Sequence, residues 1–363
     1  MANIVDYIKA HGGYRINRAA PFNELDAMVL SRFSYLPFHK IRLKRRDTIY
    51  SIAQKMSALD VDDFAWPEDS ELIQAMGLAP RFSSFKTTHY VKKSSAKIAE
   101  QFMAITIHIS KTKMFISYIG TDSSLHGWRE DFNLALMNEI PSQISGAKYL
   151  KKVARRYFWK KLYLGGHSKG GNIAMYSAIV VRDFYQNRII SVCSLDGPGM
   201  TKKIVDQDLG RSVMPRIKNF IPQDSIIGRL LNHTETFEVV KSNAKNFWQH
   251  NIYSWEIDLE NKCPVRSEST PKSDFVDKTI DRWIQSASQE QREVFVDLLF
   301  RMLEVSKLGT PVDVAAAGFK AIPTFFKAYH TLSRDDRKVI TSFIKKLLIS
   351  AFTVYQENRA SKK

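Results

Sequence analysis

The stretch Leu162-Tyr163-Leu164-Gly165-Gly166-His167-Ser168-Lys169-Gly170-Gly171-Asn172-Ile173-Ala174-Met175 runs from an apolar strand through a glycine-rich turn into a helix. Leu162, Tyr163 and Leu164 read as a short strand. Ala174, Met175, Ala178 and Ile179 recur at helical spacing on one apolar face. Between them lies Gly166-x-Ser168-x-Gly170, a serine flanked by residues small enough to let strand and helix approach. That context is what a nucleophile elbow requires. It places the Ser168 hydroxyl at a helix N-terminus, where the dipole and free N–H groups favour a developing oxyanion.

Outward from the elbow, apolar strand-like runs at 102–109, 114–118, 161–164, 189–195, 217–221 and 236–240 alternate with helical segments. Such alternation predicts an α/β protein with a mainly parallel sheet. Residues 1–97 mix loops with amphipathic helices, one opening near Pro21 or Asn23 and others near 48–59 and 70–76. Beyond a loop at 264–273 the pattern is helical to the end. Val276, Ile280, Trp283 and Ile284 share one face, as do Val294, Leu298, Leu299 and Met302, and a last helix opens near Ser333. The expected division is 1–270 for the α/β part and 271–363 for a helical extension that packs on it or caps it.

The 363 residues are 44% hydrophobic with 22 Phe, 14 Tyr and 6 Trp, enough to bury a core and too many for a disordered chain. Two cysteines, Cys193 and Cys263, exclude a disulfide scaffold and a four-cysteine zinc site. No apolar run reaches the ~18 residues of a membrane span, and no basic flank with an apolar run opens the chain. A cytoplasmic protein, peripheral to a membrane at most, is expected. Lys+Arg 54 against Asp+Glu 37 leaves a net charge of +17. The basic residues are dispersed, with short clusters at 40–46, 151–156 and 359–363. A solvated basic surface is the leading reading, and an anionic membrane surface is the partner the charge suits. No zinc-finger, RNP-type or basic-zipper pattern accompanies it, so nucleic acid is not expected.

A serine hydroxyl needs a base to take its proton. With this elbow the chain order is serine, acid, histidine, which leaves His233, His250 and His330. His330 lies deep in the helical tail, and His233 follows the best acid so closely that the two share a loop. His250 lies in Phe247-Trp248-Gln249-His250-Asn251, among aromatics able to shield an imidazole. Two aspartates end strands: Asp196 after 191–195 and Asp224 after 217–223. Asp224, nearer His250 in chain order, is the expected acid, and Asp196 in Asp196-Gly197-Pro198-Gly199 is the alternative or a turn former. The Gly120-Thr121 turn after 116–119 supplies an oxyanion N–H together with that of Lys169, and Thr121 can add its hydroxyl. No metal or cofactor is called for.

Together these pieces resemble a serine hydrolase of the α/β-hydrolase superfamily, similar to the class 3 (fungal-type) lipases. The resemblance is carried by the Gly120-Thr121-Asp122 turn with Gly127-Trp128-Arg129-Glu130-Asp131-Phe132, by Gly166-His167-Ser168-x-Gly170-Gly171, by Asp224-Ser225-Ile226-Ile227-Gly228 and by His250-x-x-Tyr253. Asn3-Ile4-Val5-Asp6-Tyr7, Pro21-Phe22-Asn23-Glu24-Leu25-Asp26, Leu30-Ser31-x-x-Ser34-Tyr35 and His167-Ser168-Lys169-Gly170-Gly171-Asn172 resemble, more specifically, a bacterial lipase-like family described as a domain of unknown function. The resemblance spans residues 1 to about 260. It implies an α/β-hydrolase fold, an esterase- or lipase-type activity on a small acyl ester, and Ser168, Asp224 and His250 as triad. A thioesterase or amidase would use the same residues, and a retired hydrolase serving as a scaffold is the alternative from another class. Two positions depart from the class 3 pattern: Ile119 stands where those lipases carry Arg, so the oxyanion turn is braced differently, and Lys169 replaces an apolar residue.

Overall fold

In the computed structural model, which describes residues 1–98, 100–121, 125–136, 139–207, 209–233, 237–306 and 322–360, the apolar runs form one seven-stranded sheet whose strand order follows the chain. The strands are β1 Lys86–Ser95, β2 Glu100–His108, β3 Lys113–Ile119, β4 Lys161–His167, β5 Ile189–Leu195, β6 Ile217–Pro222 and β7 Phe237–Val240. Strands β2 and β3 are an antiparallel hairpin, and from β3 to β7 every pairing is parallel. Parallel neighbours need crossover helices. Accordingly α5 Leu125–Leu136 and α6 Pro141–Arg156 lie between β3 and β4, and α7 Lys169–Val180 between β4 and β5.

Alternating residues of each strand face opposite sides, and both sides are covered. Phe115, Tyr163, Cys193 and Phe220 share one core with α1 Ile4–His11, α2 Glu24–Phe33, α3 Ile49–Met56 and α4 Glu68–Leu78. Met114, Ile116, Leu162, Leu164 and Val192 share the other with α6 and α7. Two-sided burial is why these strands read as near-continuous apolar runs. This sheet, with the elbow between β4 and α7, is the α/β-hydrolase fold.

The N-terminal helices start where their caps dictate. Asn3 and Asn23 each accept helix N–H bonds while Asp6 and Asp26 bond back to the cap, a reciprocal box at both α1 and α2. Buried ion pairs hold the layer: Arg81 to Asp26, and Arg32 to Asp69, whose carboxylate also accepts from the Tyr253 hydroxyl at 2.7 Å. Strand β1 lies in the stretch 1–97 whose sequence predicts only loops and helices. Its polar run Lys-Thr-Thr-His-Tyr-Val-Lys-Lys-Ser-Ser has no apolar pattern because β1 is an edge strand, where exposed lysines are expected.

The chain divides into two units: Met1–Lys93 with Phe102–Gly120 and Ser142–Thr270, and Ser94–Gln101 with Thr121–Pro141 and Pro271–Lys363. The second unit thus gathers, besides the C-terminal helices, two stretches that a boundary at 270 leaves in the first. Within it Phe295 stacks on Phe343 at 4.4 Å, and Trp283 meets both edge-on while its indole N–H donates to the Phe343 carbonyl. Phe300 packs with Trp128 and Phe132 of α5. Phe326, by contrast, is exposed. No helix among the described residues is long and apolar enough to cross a membrane.

Candidate active site

The turn between β4 and α7 is tight. Ser168 sits at φ 58°, ψ −134°, a region L-residues rarely adopt. Its N–H donates to the Leu195 carbonyl of β5 at 2.8 Å, and its carbonyl accepts from Gly171 at 2.9 Å. The flanking glycines are sterically required: a Cβ on Gly170 would lie 2.3 Å from the Tyr118 carbonyl oxygen, and one on Gly166 2.4 Å from the backbone of Gly170. The geometry leaves Ser168 half-buried on the C-terminal edge of the sheet. Lys169 opens α7, and its side chain is fully buried.

Asp196, at the end of β5, takes φ 49° and is 1% exposed. One carboxylate oxygen accepts from the Ser225 hydroxyl and the Gly228 N–H, and the other from His250 Nδ1 at 2.5 Å. Asp224, expected as the partner of His250, does not meet it. Its carboxylate accepts from Gln249 Nε2 at 2.9 Å and from the Thr270 hydroxyl, and its N–H donates to Gln249 Oε1 at 3.0 Å. The carboxylate that meets His250 is therefore that of Asp196. The reason is the sheet: β5 lies directly beside β4, so its end is next to the elbow, whereas Asp224 lies beyond β6. Asp224 instead grips Gln249, one residue before His250.

Because Nδ1 of His250 serves Asp196, Nε2 is the nitrogen left for a hydroxyl proton. The ring lies 4.4 Å from that of His167 and 6.0 Å from that of Phe247, the aromatic surroundings expected for it. His167 itself is buried. Its Nε2 lies 2.7 Å from the His250 carbonyl and must donate, since a carbonyl only accepts. Burial, with the charges of His250 and Arg32 adding, pushes its pKa well below the usual histidine range. His167 is thus a neutral support that fixes the His250 backbone. His233 lies instead against Asn219 and Phe237, and His330 meets Phe326 edge-on in the tail.

The turn after β3 is braced by Tyr35. The Tyr35 hydroxyl accepts from the Gly120 N–H at 2.7 Å and donates to the His167 carbonyl at 2.9 Å, tying the turn after β3 to the elbow. The Arg32 guanidinium lies over the Tyr35 ring at 5.1 Å and the Tyr253 ring at 5.5 Å. Thr121, expected to lend its hydroxyl, donates it to the Asp131 carboxylate at 2.6 Å. Sequence reasoning missed Tyr35 and Ser225 as supports. Tyr35 carried a signal only as the end of Leu30-Ser31-x-x-Ser34-Tyr35, and nothing in its local pattern tells a bracing tyrosine from a core one.

A family model described as Mbeg1-like matches residues 76–301, more than half of the chain and all of the elbow, Asp196 and His250. The chain belongs to the Mbeg1-like family. Among solved structures, this Mbeg1-like chain is similar to M37 lipase, with 16% identity over 58% of this chain and 70% of that one and a TM-score of 0.37. It is also similar to a fungal lipase in complex with an inhibitor, with 13% identity, 74% and 88% coverage and a TM-score of 0.39. A third likeness is to lipase II from Rhizopus niveus, with 11% identity, 68% and 84% coverage and a TM-score of 0.36. No curated protein matches the sequence.

Proposed function

We propose that this chain is a serine hydrolase of esterase or lipase type, with Ser168 as nucleophile, His250 as base and Asp196 as the orienting acid. The observation that carries this reading is the strained elbow: φ 58° at a non-glycine residue costs about 1–3 kcal/mol, which a fold retains where the backbone serves a site. In the proposed reaction His250 Nε2 takes the proton as Ser168 Oγ attacks the ester carbonyl. The Lys169 N–H, at the helix terminus, stabilises the oxyanion. His250 then protonates the departing alcohol, leaving an acyl group on Ser168. Water, deprotonated by His250, releases the acid and restores the serine.

The test is a series of p-nitrophenyl esters of increasing acyl length, run beside covalent labelling with a fluorophosphonate. Hydrolysis of at least one ester and a label mapping to Ser168 alone are expected. Labelling at another residue, or no turnover of any ester, thioester or amide, overturns the reading.

The Tyr35 brace makes a finer expectation. In Tyr35→Phe the ring stays but the Gly120 N–H and the His167 carbonyl lose their partner, at about 1–3 kcal/mol for buried polar groups left unmade. If Tyr35 positions the oxyanion turn, kcat should fall about tenfold, the equivalent of ~1.4 kcal/mol, with KM nearly unchanged. Steady-state kinetics with a short ester separate this from a purely structural role, which would lower the melting temperature and leave kcat of the folded enzyme intact.

A further inference from the structure

Parts of two basic clusters that the catalytic reading leaves unused, Arg45 and Arg46 of 40–46 and Lys152 and Arg156 of 151–156, come to one end of the first unit, where the Arg46 N–H donates to the Thr87 carbonyl at 3.0 Å and the His89 ring lies 5.7 Å from that of Tyr157. The meeting point is a pair of histidines beside the β2–β3 hairpin. His108 Nε2 lies 2.9 Å from the Thr88 hydroxyl, and that hydroxyl 2.9 Å from His89 Nδ1. The buried Lys160 ammonium lies 3.2 Å from His108 Nδ1 and donates to the Ser110 carbonyl at 2.5 Å. Burial lowers the pKa of His89, and the charges of Arg156, Lys152 and Arg45 lower it further. Burial, then Lys160, His89, Arg46 and Lys86, push His108 down to about 4. Lys160, Arg45, Arg46, Lys86, Lys152 and Arg156, the side-chain charges that bear most on these rings, are all positive. Among the described residues no carboxylate lies within ion-pair distance of Arg45, Arg46, Lys86, Lys152 or Arg156, all of them exposed. The nearest acid in sequence, Asp47, is taken by Lys55, Ser51 and the Lys44 N–H.

At the same end two large aromatics face solvent. Phe158 is 68% exposed and Trp159 54%. Tyr157, whose ring lies 4.8 Å from His108, holds them in place: its ring is 5.8 Å from Trp159, and Trp159 donates its indole N–H to the Lys111 carbonyl. Phe158 and Trp159 meet edge-on, at 5.2 Å and 86°. That is a wedge rather than two parallel platforms on which bases could stack.

We propose that this surface docks on an anionic membrane, with Phe158 and Trp159 entering the interface and Arg45, Arg46, Lys86, Lys152 and Arg156 meeting acidic headgroups. Aromatic side chains with one polar edge favour the headgroup level, and clustered Lys and Arg are drawn to the negative leaflet. Water does not favour two exposed rings, and a ring of unpaired cations offers the complementary charge. The surface lies at the N-terminal edge of the parallel strands. Strand β4 runs from Lys161 beside it to His167 beside Ser168, roughly 20 Å at ~3.3 Å per residue. Docking here leaves the Ser168 edge facing away from that bilayer, so the proposal stands independently of the hydrolase reading.

The test is co-sedimentation of the full chain with vesicles of phosphatidylcholine alone and of phosphatidylcholine with phosphatidylserine. Binding is expected only with phosphatidylserine and is expected to fall with salt, as screening shortens. Lys152→Glu with Arg156→Glu should weaken it at least ~10-fold, at ~1 kcal/mol per charge near the surface. Phe158→Ala with Trp159→Ala should weaken it at unchanged net charge, and Lys202→Glu with Lys203→Glu, on a short helix elsewhere, should not. Ser168→Ala should bind like the parent, which separates failure of this proposal from failure of the hydrolase one. Equal binding to both vesicles, no binding to either, or a single-stranded oligonucleotide bound in place of vesicles would overturn it. So would loss in Leu348→Glu with Phe352→Glu alone, which would move the contact to the tail. Circular dichroism of each variant confirms that it is folded.

Discussion

Ester hydrolysis by Ser168→Ala is expected to fall at least ~10³-fold, about 4 kcal/mol of transition-state stabilisation, with the fold intact. Removing the hydroxyl leaves the base and its acid nothing to activate, so the loss should equal that of the whole set. Double replacement of Ser168 and His250 should therefore cost little more than either alone. The alanine keeps a Cβ, so the elbow's φ 58° and the Ser168 N–H bond to Leu195 are retained. Thermal melts should match the parent within a few degrees. Rates that fall less than tenfold would remove Ser168 from the chemistry. A protein that no longer folds would be recognised by circular dichroism, and fluorophosphonate labelling of the unmodified chain would then decide the matter.

The elbow and the sheet were legible because both are local. Gly166 and Gly170 announce the turn through their lack of a Cβ, and buried parallel strands announce themselves as apolar runs. The cap residue Asn23 likewise acts within three residues of itself. What was not legible depends on pairing across the sheet. β1 lacks an apolar pattern because an edge strand has a solvent side. Thr121 offers its hydroxyl to either of two uses, and only the folded chain shows it given to Asp131. The two basic clusters lie more than a hundred residues apart, and nothing in either one says that they converge on the same histidines. The choice between Asp196 and Asp224 belongs to this class, since both end strands and both precede the histidine.

That choice gives the second large effect. Asp196→Asn should lower ester hydrolysis by roughly 10³–10⁴-fold, whereas Asp224→Asn should lower it less than about tenfold. The carboxylate of Asp196 is committed on both sides. In the asparagine the remaining oxygen is held by the Ser225 hydroxyl and the Gly228 N–H, which only an acceptor satisfies. The new NH₂ then faces His250 Nδ1 and must donate to it, so Nδ1 loses its proton and Nε2 gains one. A protonated Nε2 in the neutral ring cannot take the proton of Ser168, and the developing imidazolium has no counter-charge. At Asp224 the same change weakens the grip on Gln249 and leaves the Nδ1 partner untouched. Both variants keep their shape, so melting temperatures should move far less than rates, and kcat/KM measured side by side on one ester decides. Equal losses, or the larger loss at Asp224, would return the acid to the position that chain order alone suggests.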